Sequence, residues 1–202
     1  MINKLCGLAF VAMLIAEGCA ATPLSHSESE VTREAIKHLS NVLFPSEDKP
    51  RTFSVLRTTM SFCKPIDSED WLGDGCVFPP DLGDRLLHQK YKFIPNNLGN
   101  ALVTENENSV DLRAEDVSPN ALLSPAEQVA YSKAGSTIKL KKKARWGGFV
   151  QLTKPVFSSD LQVALIYLTV FCGGDCGYGW FFVLERRDGS WHLVEKQLMF
   201  IS

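Results

Sequence analysis

The stretch Leu161-Gln-Val-Ala-Leu-Ile-Tyr-Leu-Thr-Val-Phe171 decides the fold. Successive side chains of a strand point to opposite faces. Here both alternate rows are apolar: Leu161, Val163, Leu165 and Tyr167 on one, Ala164, Ile166, Leu168 and Val170 on the other. A strand greasy on both faces belongs inside a sheet, with another layer over each side.

Working outward, Trp180–Arg186 and Trp191–Ile201 flank Arg187-Asp188-Gly189-Ser190. Asp-Gly between apolar runs is a strong hairpin signal. Before the central stretch, Phe149–Thr153 reads as a short strand, and Thr137–Arg145 as a basic one broken off by Gly147-Gly148. Ser124-Pro125-Ala126-Glu127 carries a capping box with proline at the first helical position, so a helix runs from there to Gly135 with Val129 and Ala130 on its packed face. Further back lie a short strand at Val110–Ala114, a turn at Asn96, Asn97, Gly99 and Asn100, a short helix at Asp81–Tyr91 and a strand at Thr52–Phe62. Val31, Ala35, Leu39 and Leu43, widened by Ile36 and Val42, form the stripe of an amphipathic helix. Ser27 and Glu30 fit its capping box, Pro45 its stop, and Glu34, Lys37 and His38 its wet side. The fold class expected is α+β: a single domain, 27–202, with a mostly antiparallel sheet from the C-terminal half and the N-terminal helix packed on it.

The chain begins with Lys4, an apolar run from Leu5 to Ala16, and small residues. That is the pattern of a secretory signal peptide, too short to span a bilayer. Ala16-Glu17-Gly18-Cys19 resembles the bacterial lipoprotein box, which makes 1–18 the signal, Cys19 the lipidated residue and 19–26 a tether. Cleavage after Ala20 or Ala21, giving a soluble exported protein, competes with it. Either way the chain is exported, as a membrane-anchored lipoprotein or a periplasmic or secreted protein.

The 202 residues include 21 basic and 23 acidic ones, for a net charge of -2, so no overall field points to nucleic acid. At 45% apolar and 22% charged, the composition is that of a globular domain, which excludes a multi-span membrane protein and a disordered tail. Of six cysteines, Cys6 leaves with the signal, and Cys63, Cys76, Cys172 and Cys176 remain beside Cys19. Four cysteines in an exported chain read as a disulfide framework with three connectivities. Cys63–Cys76 with Cys172–Cys176 is preferred, because the polar segment 64–75 is turn-rich and a bridge across such a loop contributes about 3 kcal/mol. A zinc site is disfavoured by the spacing, and redox catalysis by C-x-x-x-C in place of C-x-x-C.

Residues ALIY (164–167), CGGDCGYG (172–179), DGSW (188–191) and a last strand ending FIS resemble the C-termini of a set of exported bacterial proteins of unknown function. Those run ALVY, CG, CG-x-G, a strand, DG-x-W and a final strand ending near W-x-S. The resemblance covers about a fifth of the chain and implies export, but no activity, cofactor or catalytic residue.

No G-x-S-x-G, H-E-x-x-H, P-loop or dinucleotide fingerprint occurs. The histidines are His26, His38, His88 and His192. His192 is a candidate base if Asp175 or Asp188 lies beside it, which would make an envelope hydrolase the alternative function. Asp67, Glu69, Asp70 and Asp74 depart from the calcium-loop ladder and read as a solvated acidic loop. Lys139, Lys141, Lys142, Lys143 and Arg145 form the one concentration of charge. They suit an acidic protein partner or an anionic membrane surface, or guard an edge strand. The leading expectation is a non-enzymatic binding or interaction protein of the bacterial cell envelope, with no cofactor, metal or nucleic acid.

Overall fold

The computed structural model describes residues 23–46, 51–61, 94–95, 97–134, 148–171 and 177–201. In chain order the elements are α1 (His26–Leu43), β1 (Ser54–Val55), α2 (Leu98–Glu105), α3 (Ala114–Val117), β2 (Ala121–Leu122), α4 (Pro125–Ala134), β3 (Phe149–Leu152), β4 (Val156–Phe157), β5 (Val163–Phe171), β6 (Gly177–Arg187) and β7 (Ser190–Ile201). They form one α+β domain around a seven-stranded sheet of order β2-β1-β3-β5-β6-β7, with β4 also on β5. All pairings from β3 to β7 are antiparallel. β1 is parallel to both β2 and β3, so segments that precede β3 in the chain extend the sheet by two short strands.

β5 is central, as its two apolar rows require. Ala164, Ile166, Leu168 and Val170 join Val31, Ala35, Ile36 and Leu39 of α1 in one buried cluster. Leu165 and Tyr167 join Leu98 and Leu102 of α2, with Phe181 and Val183 of β6, in a second cluster. Each fully buried Leu, Ile or Phe contributes about 1.5–3 kcal/mol, so the two layers together hold the sheet. Leu161 departs from its row. It lies in the turn before β5 with φ 57 and is 54% exposed. Leu161 N–H donates to Ser158 O, and the Ser158 hydroxyl accepts from Val163 N, so the turn starts the strand two residues late.

The capping box of α1 is Ser25 with Glu28, not Ser27 with Glu30. The sequence holds S-x-x-E in both registers. The earlier one wins because Leu24, at its threshold, is 3% exposed within the core. Leu24, Ser25 and His26 therefore belong to the domain and not to a tether. At the other end Phe44 N–H closes on Ser40 O before Pro45.

Four local expectations change. Val110–Ala114 is not a strand: only Asp111 makes a lone bridge, and Ala114 begins α3. Asn97–Glu105 is not a turn region but leads into α2, because burying Leu98 and Leu102 outweighs the roughly 1 kcal/mol that Gly99 costs a helix. Within 51–61 only Ser54 and Val55 are in a strand, with Thr58 in a lone bridge to Asp111. Phe53, Val55, Leu56 and Met60 are buried all the same. Val129 is 48% exposed, so it does not lie on a packed face of α4, although the Ser124–Glu127 box holds. The expected helix 81–91, strand 137–145 and Gly135 stop lie outside the described residues.

The β6–β7 hairpin closes through Asp188 and Gly189, both at positive φ (52 and 80), as a two-residue turn of the expected kind. The β6–β7 register shifts at Gly179/Trp180 and again at Val183/Leu184. Between β3 and β4, Thr153 Oγ1 accepts from Tyr167 N in place of a backbone carbonyl, at 3.0 Å. The displaced Lys154 peptide is held at both ends by buried Asn106: Lys154 N donates to Asn106 Oδ1 (2.7 Å) and Asn106 Nδ2 to Lys154 O (3.0 Å). Lys154 Nζ then reaches Glu28 of α1 (3.1 Å) and Glu105 of α2 (3.6 Å), tying the two helices across the sheet edge.

Candidate functional site

Residues three and four apart on a helix share a face. Glu30, Arg33 and Glu34 do so on α1, and that face stands over the start of β7. With Gly189, Ser190 and Trp191 they line an open groove of about 230 Å³. That is smaller than the roughly 300–1,000 Å³ of typical small-molecule pockets.

The hairpin wall is well packed. Trp191 is 5% exposed and its ring lies 5.6 Å from that of Phe157. The Arg186 guanidinium stands 5.9 Å from the Trp191 ring, within cation–π range. Trp191 Nε1 has no hydrogen-bond partner among the described residues.

The helix wall is charged. Glu30 pairs with His26 (3.2 Å), and Glu34 with both Lys37 (3.0 Å) and His38 (3.1 Å). Arg33 Nη1 donates to the backbone oxygen of Glu115 at 2.9 Å and makes no ion pair among the described residues. Glu34 and His38 are half-buried, not on a wet face as their spacing suggested, because the β6–β7 hairpin covers this side of α1. Burial holds the His38 imidazole below its ordinary pKa; Glu34 opposes this, and the charges of Lys37 and His192 reinforce it.

A second cluster anchors α1 along its Ser29–Arg33 row. Asp116 is fully buried and accepts from Ser29 Oγ, from Arg113 N (2.7 Å) and from Arg113 Nη2 (3.2 Å). Its burial pushes the carboxyl up, but the Ser29 and Arg113 donors outweigh that and hold it below the ordinary range. All its partners are the protein's own, so this cluster braces the groove's helix and does not itself face a ligand.

His192 is exposed on β7, opposite Glu185 in the ladder, and does not line the groove. Asp188 is taken up in the tight turn. Asp175, Cys19, Cys63, Cys76, Cys172, Cys176, Lys139, Lys141, Lys142, Lys143, Arg145, His88 and the acidic residues of 67–74 lie outside the described residues. Among the described residues no three His, Cys, Asp or Glu side chains stand together as a metal site, and no helix is long and apolar enough to cross a membrane.

Sequence reasoning passed over Glu30, Arg33 and Trp191 as groove residues. The available signal was the i, i+3, i+4 charge pattern on α1 and the Trp after Asp-Gly-Ser. Neither shows that the helix face and the turn meet. Compared with known family models, with curated proteins and with solved structures, the chain matches none.

Proposed function

We propose that the protein is an exported component of the bacterial cell envelope that works by binding a protein partner, with the α1–hairpin groove as the contact surface. The supporting observation is the groove itself. Its walls are Glu30, Arg33 and Glu34 on one side and the braced Gly189-Ser190-Trp191 turn on the other. It is open and too small to enclose most metabolites, but it accommodates one or two polar side chains of a docked segment. Export rests on the signal-peptide pattern of residues 1–18, and anchoring on Cys19.

Two measurements test this reading. Palmitate labelling of the wild type and Cys19→Ser in a bacterial host should show label only on the wild type. The mature N-terminus should lie at Cys19. An unprocessed chain would overturn export, and label persisting in the mutant would overturn the anchor. A photo-crosslinking amino acid at Ser190 should capture one discrete partner in the envelope, and Glu30→Lys or Arg33→Glu should abolish that capture without altering the far-UV spectrum. Equal capture by the charge-reversed groove would overturn its role.

A further inference from the structure

We propose that the occupant of the α1–hairpin groove is a short protein segment carrying an acidic and a basic side chain side by side, the carboxylate on Arg33 and the cation on Glu30. This rests on the binding reading above and names the chemistry of the partner at that site.

Two pairs of opposite charge stand three residues apart on α1, the carboxylate first in each. In the second pair Lys37 Nζ meets Glu34 Oε1 at 3.0 Å, as that spacing favours. In the first pair Glu30 and Arg33 both line the groove and do not meet each other. Arg33 reaches α3 instead, where its Nη1 donates to Glu115 O at 2.9 Å. Glu30 takes His26, whose Nε2 stands 3.2 Å from Glu30 Oε1 on a side chain 85% exposed.

These contacts keep the two charges apart and leave both open to a ligand. Glu115 O is a neutral acceptor for one N–H of a guanidinium that carries five, in a fork that matches a carboxylate. An exposed contact such as Glu30–His26 is worth little against water and yields to a better-placed cation. Lys37 already balances Glu34. The groove therefore presents one uncommitted charge of each sign, in a fixed order along α1. On the opposite wall Ser190 offers a hydroxyl, and the almost wholly buried Trp191 carries a ring N–H without a partner among the described residues. Such a donor calls for an acceptor, and a carboxylate entering the groove brings one to the wall that Trp191 forms.

An occupant of one sign fits badly. A lone carboxylate on Arg33 would lie beside Glu30 and Glu34, and a lone cation on Glu30 would lie beside Arg33. A segment with both signs satisfies each end. Residues three apart on a helix have Cβ atoms about 5–6 Å apart. Residues two apart on an extended chain share a face at about 7 Å. An acid-x-base segment in extended form therefore reaches both ends in one pose.

NMR titration of the purified protein at low salt with acetyl-Asp-Ala-Lys-amide tests this, read at the side-chain N–H resonances of Arg33 and Trp191. The peptide should shift both saturably. Acetyl-Asn-Ala-Lys-amide and acetyl-Asp-Ala-Gln-amide should each bind several-fold more weakly. Arg33→Gln and Glu30→Gln, read at Trp191, should each weaken the doubly charged peptide by a similar factor. No saturable shift, equal binding of a singly charged peptide, or unchanged binding by either variant would overturn the paired-charge occupant. Because the probe is a defined peptide, that failure leaves the crosslinking test of the groove intact. A groove that binds the peptide but captures no envelope protein overturns the protein-partner reading instead, and leaves the charge pairing standing.

Discussion

Removing the Asp116 carboxylate is a sharp test of how α1 is braced. In Asp116→Ala the hydrogen bonds accepted from Ser29 Oγ and from Arg113 N, Nε and Nη2 vanish, but they do not count equally. The Ser29 hydroxyl has a second acceptor within reach, Ser25 O at 3.0 Å, and simply turns to it. The Arg113 guanidinium is 46% exposed and keeps Glu115 (2.8 Å) and Leu24 O (3.1 Å), so water replaces what it loses. The Arg113 backbone amide, in a part-buried contact, is left without its acceptor, which costs about 1–2 kcal/mol. The weakened charge contact to the exposed Arg113 guanidinium adds little, so the loss stays at about 1–2 kcal/mol. Asp116→Asn keeps an acceptor oxygen and should lose only about 1 kcal/mol. With a urea slope of about 2 kcal/mol/M, the alanine variant's unfolding midpoint should fall by roughly 0.5–1 M at pH 7. The acid behaviour gives a second handle. The folded-state carboxyl lies below its ordinary 3.8, so its contribution is complete above that value and is lost as pH falls through the folded one. The gap between wild type and Asp116→Asn should therefore close in strong acid. A loss under about 0.5 kcal/mol for the alanine variant, or a gap that persists in acid, would refute the brace.

Leu39→Ala, at a site with no exposure between α1 and the sheet, should cost about 2–5 kcal/mol by denaturant unfolding. Gly189→Ala should cost about 1 kcal/mol purely through its backbone, since φ is +80 and an added Cβ meets nothing within 4 Å; Gly189→Asn should recover part of it. Lys154→Met should lower stability by about 0.5–1 kcal/mol at pH 7. Burial works against the Lys154 charge but Glu28 and Glu105 outweigh it, so its pKa is raised and the contribution, full below the ordinary 10.5, is lost as pH rises through the folded value. The difference between wild type and Lys154→Met should disappear in alkali.

The central strand was legible in the sequence because burial on both faces leaves no polar row, and no surface element tolerates that. The hairpin was legible because only a few residue pairs, Asp-Gly among them, accept two successive positive φ angles. Local chemistry of this kind depends on neighbours within a few residues. It reaches its limit at α1, where two S-x-x-E boxes are equally good locally and the burial of Leu24 selects between them. It fails at α2, where Asn97, Gly99 and Asn100 spell a turn and the distant apolar surface of Leu165 and Tyr167 overrides them. The parallel pairing of Ser54–Val55 with Ala121–Leu122 and Phe149–Val150 joins segments far apart in the chain, and no local pattern carries that information. The groove belongs to the same class. Glu30, Arg33 and Glu34 announce a charged helix face, and Asp188–Trp191 a turn with an aromatic behind it. That the face stands over the turn follows from the way the stripe of Val31, Ala35, Ile36 and Leu39 seats α1 across β5. Composition and spacing determine which residues seek burial; only the assembled sheet decides which polar residues are left facing one another across the space between.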